Sequence, residues 1–124
     1  MRPAGGSIYL FVYGLLRSGQ SDHHRLKGAD FLGMHRSAAH YTLIDLGEYP
    51  ALVEGGSDAV AGELYRVPAD LLADLDAFED APRLYERRRI PLEGGHEAET
   101  YLWCGARDAG KRIPSADWQS HARR

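Results

Sequence analysis

Ile8-Tyr9-Leu10-Phe11-Val12-Tyr13 is apolar throughout, rich in β-branched and aromatic side chains, and bounded by Gly5-Gly6 before it and Gly14 after it. Such a run between glycines reads as a strand buried on both faces, because a half-solvated strand would alternate apolar and polar residues. Outward from it, further strands are expected at Ala39–Leu46, Ala51–Glu54, Ala59–Val67, Tyr85–Leu92 and Glu99–Cys104, with turns at Gly55-Gly56 and Gly94-Gly95. One well-marked helix is expected from Pro68 to Glu79. Proline is tolerated in a first turn, Asp70 suits the positive end of the dipole, and Pro82 prevents continuation. Ser21–Lys27 reads as a short helix capped by Ser21. Many strands with one main and one short helix define an α+β fold, a small mixed β-barrel flanked by those helices.

A chain of 124 residues fits a single domain, residues 1–124, whose polar tail after about residue 105 is expected to be loosely structured except where Trp118 docks. A domain of that size buries about two-thirds of its unfolded surface, so it needs no disulfide framework. The one cysteine, Cys104, lies in Tyr101-Leu102-Trp103-Cys104, where a buried, inert thiol is expected. A net charge of −3 argues against nucleic acid as a partner, and Arg87-Arg88-Arg89 and Arg123-Arg124 read as solvated faces. No stretch approaches the ~20 apolar residues of a membrane span. The first apolar run, which ends at Gly14 and Arg17, makes a poor signal peptide, so a cytoplasmic protein is expected.

His23-His24 point in different directions on a short helix, and no paired Cys/His spacing accompanies them, so no metal site is expected. There is no G-x-S-x-G elbow, and the chemistry should be proton transfer plus positioning rather than covalent catalysis.

Two features bear on that chemistry. On a helical wheel Leu71, Leu72, Leu75 and Phe78 form the apolar stripe, with Asp70, Asp74 and Asp76 roughly 90° or more from its centre and Glu79 only about 50° from it. The last helical residue therefore turns a carboxylate toward the core side. Burial and the negative end of the helix dipole would both raise its pKa, as general acid–base work near neutral pH requires. If the helix frays early, Glu79 instead snorkels into solvent; helical geometry leaves both open. The second feature is Tyr13-Gly14-Leu15-Leu16-Arg17-Ser18-Gly19-Gln20, leaving the buried strand. Gly14 permits backbone angles that other residues resist, and successive N–H groups in such a turn can form an anion-holding nest. An ordinary strand-ending turn has the same spacing, and the loop lacks the lysine of a phosphate-binding loop.

Taken together, these stretches resemble the γ-glutamylcyclotransferase-like proteins, in their γ-glutamylamine cyclotransferase, AIG2-like branch. Val12-Tyr13-Gly14-Leu15-Leu16-Arg17 is similar to the family's opening strand and substrate loop, commonly YG-[ST]-L-[KR]. Val60-Ala61-Gly62-Glu63-Leu64-Tyr65 is similar to its G-E-L-Y strand. Leu75-Asp76-Ala77-Phe78-Glu79, followed by Pro82, Tyr85 and Arg87, is similar to its L-D-x-x-E-x-x-P-x-x-Y-x-R segment, with shorter echoes at 47–51 and 113–118.

The resemblance implies a mixed β-barrel that forms 5-oxoproline from a γ-glutamyl amine or amide and releases the amine. It implies Glu79 as the catalytic residue and Tyr13, Gly14, Leu15, Leu16 and Tyr85 as substrate-binding residues. It further implies no metal or coenzyme, a small-molecule γ-glutamyl substrate, and a monomer or weak homodimer. A non-catalytic binding module of the same fold and a γ-glutamyl amide hydrolase are the alternatives. Leu15 departs from the family's usual Ser or Thr, so a hydroxyl contact to substrate is missing there. Ala116 stands where glycine is usual.

Overall fold

In a computed structural model the described residues are 6–122. They form one mixed sheet of eight strands with two α-helices. The strands are β1 (Ile8–Val12), β2 (Asp30–Arg36), β3 (Tyr41–Asp45), β4 (Pro50–Glu54), β5 (Ala61–Val67), β6 (Tyr85–Pro91), β7 (Glu97–Trp103) and β8 (Lys111–Arg112). Helix α1 spans Ala69–Phe78, and α2 spans Trp118–Ala122. The order across the sheet is β2-β5-β1-β7-β4-β3-β8, and β6 pairs with β7.

Strand β7 organises the barrel. Antiparallel β6 lies along its whole length, from Pro91↔Glu97 to Tyr85↔Trp103. The other edge of β7 is shared by two parallel strands, β1 at Leu10↔Glu99 and β4 at Leu52↔Leu102. One edge holds one neighbour at a time, so β1, still paired with β5, parts from β7 where β4 joins it. The end of β1 and the start of β4 diverge at that point, and the gap between them opens into a cavity.

β1 buries both of its faces, as its unbroken apolar run predicts. Leu10, Val12 and Ile8 pack with Leu72, Leu75, Tyr85 and Tyr101 on one side. Phe11 and Tyr13 pack with Leu43, Leu52, Val60 and Trp118 on the other. The α+β barrel read from the sequence is the architecture observed.

Several local readings are corrected. Strand β2 was not expected: its side chains are mostly exposed, and Gly33 and flanking charges obscure its alternation. It is an edge strand, so no second neighbour demands an apolar pattern. Ser21–Lys27 is a single 3-10 turn, His23–Leu26, preceded by Asp22 and lacking a side-chain cap. Phe78 is 37% exposed, and the Arg25 guanidinium lies 3.8 Å from its ring centroid. Cys104 is exposed, because it follows the last residue of β7. Arg87 is no solvated residue: it pairs with Asp76 (Nε–Oδ1 2.9 Å) and with Glu99. The tail is better ordered than its polarity suggests, with β8 on β3, Ile113 fully buried and Trp118 only 5% exposed. None of the described helices is long and apolar enough to cross a membrane.

Candidate active site

The cavity between β1 and β4 has a volume of about 280 Å³. Its walls come from five places in the chain: the end of β1 and its loop (11–16), Tyr49-Pro50 at the start of β4, Phe78-Glu79 at the end of α1, Leu84-Tyr85 at the start of β6, and Tyr101 on β7. Asp22 completes the lining. The structure thus brings all six sequence-derived site residues, Tyr13, Gly14, Leu15, Leu16, Glu79 and Tyr85, to one cavity. Leu15 presents a half-buried isobutyl group to it, with no hydroxyl.

Glu79 follows the last residue of α1 as its C-cap, and its N–H still donates to Leu75 O at 2.9 Å. The next residue, Asp80, has φ +55°, which breaks the helix. The helix therefore holds to its end, and the half-buried Glu79 lines the cavity. Burial pushes its pKa from 4.5 up to about 7; the negative charge of Asp22 adds to the rise and the positive charge of Arg25 opposes it. Desolvation is the main cause, since the wall around the carboxyl is largely apolar.

Three tyrosines form the polar part of the interior. Tyr13 Oη donates to Tyr101 O at 2.6 Å, and Tyr85 Oη donates to Pro50 O at 3.2 Å. Tyr101 Oη donates to Asp76 Oδ1 at 2.7 Å, and Asp76 is held in turn by Arg87. Burial, above all, raises the pKa of each of the three phenols, and the charge of Glu79 adds to it. All three remain neutral hydroxyls near neutral pH.

The loop after β1 is organised by its carbonyls. Gly14 O accepts from Arg17 N at 3.0 Å, Leu15 O from Asp22 N at 3.0 Å, and Leu16 O from His23 Nδ1 at 2.9 Å. Among the described residues, no hydrogen bond engages the N–H groups of Gly14, Leu15 or Leu16. The loop thus spends its acceptors internally and keeps three consecutive donors, the composition of an anion-binding nest.

Gly14 serves this arrangement in a different way from the one expected. Its φ is not positive. A Cβ on Gly14 would stand 2.7 Å from Pro50 Cγ and 3.0 Å from Pro50 Cδ. Glycine is needed because β1 and β4 approach too closely for a side chain where they part.

The sequence did not reveal Asp22, Tyr49, Leu84 or Tyr101 as lining residues. Tyr101 lay in plain view on an apolar strand, and only pairing with β1 brings it to the cavity. Asp22 sits in a loop with no periodicity to report its direction. The charged side chains of the lining are Asp22 and Glu79, both carboxylates, and no serine, threonine, cysteine or lysine is among the lining residues.

Comparison with known proteins agrees with this architecture. The family model described as gamma-glutamyl cyclotransferase, AIG2-like, matches residues 10–120. The chain is 38% identical over 109 residues to a gamma-glutamylcyclotransferase family protein of Escherichia coli K12, covering 88% of this chain and 94% of that one. It is 37% identical over 109 residues to gamma-glutamylaminecyclotransferase A of Danio rerio, covering 77% and 68% respectively. The crystal structure of an AIG2-like protein from Mus musculus superposes with a TM-score of 0.77 at 27% identity, covering 88% of this chain and 87% of that one. With the sheet order, the cavity and the loop in place, this chain belongs to the γ-glutamyl cyclotransferase, AIG2-like family.

Proposed function

We propose that this chain converts a γ-glutamyl amine or amide into 5-oxoproline and the free amine, with Glu79 as general acid and base. The observation that carries this reading is the carboxyl of Glu79, raised to a pKa of about 7 inside a cavity whose loop offers three unspent N–H donors. A group that titrates near the working pH can both accept and return a proton within one turnover.

The reaction suits a site whose lining includes no serine, threonine, cysteine or lysine. The substrate α-amine attacks its own γ-carbonyl carbon and closes a five-membered ring, and the bond from that carbon to the leaving nitrogen breaks. Glu79 takes the proton released by the attacking amine and delivers it to the departing one. Substrate and products balance without water, metal or coenzyme. Holding the folded conformer supplies the proximity term, which for well-oriented intramolecular reactions is worth about 7 kcal/mol or more.

The N–H groups of Gly14, Leu15 and Leu16 would bind the α-carboxylate or the carbonyl oxygen as charge develops on it. The phenols of Tyr13 and Tyr85 shape the pocket, and their hydroxyls are already committed to backbone carbonyls.

The test is product identity. Incubation with a panel of γ-glutamyl amides should release 5-oxoproline and one equivalent of amine. Open-chain glutamate as the product would assign hydrolysis, and binding without any product would assign a non-catalytic module.

A further inference from the structure

Arg17, the residue that ends the Gly14–Arg17 turn, is 1% exposed and is the largest fully buried side chain among the described residues. A buried guanidinium persists only if its charge and donors are matched. Two carboxylates from distant parts of the chain match it. Arg17 Nε donates to Glu63 Oε2 of β5 at 3.3 Å, and Arg17 Nη1 donates to Asp117 Oδ1 at 2.9 Å. Glu63, on its other oxygen, also receives Ser18 N at 2.8 Å and Tyr65 Oη at 2.8 Å.

The C-terminal segment adds a second hold on the same loop. Gln119 Nε2 donates to Ser18 O at 2.6 Å, so the backbone of Ser18 is gripped through its N–H by β5 and through its C=O by α2. Asp117 Oδ1 also accepts Gln119 N at 3.0 Å, which ties the two gripping residues together. Helix α2 is five residues long, too short to persist alone. Trp118, between the two, is buried in the core and fixes the segment in place.

We infer that Asp117 and Gln119 are positioning residues of the substrate site. Through Arg17 and Ser18 they hold in place the loop whose residues Gly14, Leu15 and Leu16 line the cavity with unengaged N–H groups. This rests on the reading that the loop binds substrate. Neither residue lines the cavity, and neither touches the reacting atoms. With the loop holding the α-carboxylate, whose charge is the same in the ground state and the transition state, their loss appears in KM and leaves kcat and the titration of Glu79 alone. The loop is thereby completed by a segment about a hundred residues further along the chain.

The test uses the full chain with Asp117→Asn, Gln119→Ala and Asp117→Glu. The control is Arg112→Gln, which breaks an ion pair with Asp58 that makes no hydrogen bond to Arg17, Ser18, Asp117 or Gln119. Two readouts are taken: steady-state 5-oxoproline release, and amide hydrogen exchange of residues 14–18 against β1 and β7. Loss of one charge-assisted contact should raise KM about tenfold for Asp117→Asn, with kcat within about twofold and the pH inflection unmoved. The loop amides should exchange faster by a similar factor while the strands do not change. Asp117→Glu should recover part of the KM, and Arg112→Gln should change nothing. Unchanged KM in Asp117→Asn overturns the inference, as does a fall in kcat with KM constant. If the wild-type chain makes no 5-oxoproline, the proposed function fails and the exchange arm alone decides. Faster loop exchange in Asp117→Asn then supports the positioning role, and unchanged exchange overturns it.

Discussion

Asp22 and Glu79 line the same cavity, and after burial the negative charge of Asp22 is the largest influence raising the Glu79 pKa. Arg25 works against it. Its guanidinium pairs with Asp22 at 3.8 Å and stacks on Phe78, the neighbour of Glu79 in sequence. One turn of chain, 22–25, therefore carries both charges that tune the carboxyl of α1.

The first prediction concerns pH. With Glu79 as the base, kcat/KM should rise with pH and level off above an inflection near 7. Asp22→Asn removes a like charge and should move that inflection down. Arg25→Gln removes an opposite charge and should move it up. Rate profiles of the three proteins in parallel check this, and shifts of the same sign in both variants would show that another group titrates.

Glu79→Gln keeps the size and removes the titrating proton. Turnover should fall by at least ~100-fold. Stability should move the other way. The folded-state pKa of Glu79 is raised from 4.5 to about 7, so its protonated form favours the fold. That contribution is complete below about pH 4.5 and is lost as pH rises through about 7. The uncharged glutamine escapes this loss, so the variant should melt higher than wild type at pH 8, by about 5 °C. Melting curves at pH 4 should bring the two proteins together.

Gly14→Ala tests the close approach of β1 and β4. The added methyl meets Pro50 Cγ at 2.7 Å, and a proline ring at the start of a paired strand has little freedom to yield. Overpacking of this kind costs roughly 1–3 kcal/mol, and the loop donors move with the backbone. Urea denaturation should show the loss of stability, and substrate titration should show affinity weakened by about tenfold or more.

Glu63→Gln addresses the buried end of the Arg17 cluster. The amide keeps the shape but leaves the guanidinium with Asp117 as its sole carboxylate. Breaking a buried pair from one side costs about 3–5 kcal/mol. Asp30→Asn, at the exposed pair with Arg66, should cost under about 1 kcal/mol. Equal midpoints for the two variants in urea would show that the Arg17 charge needs no partner on β5.

Much of the fold was legible in the sequence because each element advertises its own surroundings. The unbroken apolar run of β1 required cover on both faces. The leucine stripe of α1 gave its orientation, and with it the turn of Glu79 toward the core side. Strand β2 was not legible, since an edge strand bearing exposed Phe31, Leu32 and Met34 around Gly33 carries no alternating signal. The exposure of Cys104 was missed for a related reason: the apolar run reaches one residue past the point where pairing with β6 stops.

What the sequence by itself determined about this protein is local: a carboxylate turned toward the core side of its helix and a glycine turn after a buried strand. Only the tertiary structure decided that they share a cavity, because that follows from β7 taking β1 and β4 on one edge. It also decided why Gly14 is glycine, which is Pro50 across the gap and not a left-handed turn. Arg17 shows the difference most plainly. In sequence it is a basic residue in a polar loop, and in the fold it is the most completely enclosed charge among the described residues. Periodicity reports where a side chain points relative to its own element, whereas the partners of a buried charge are set by contacts between residues as far apart as Arg17 and Asp117.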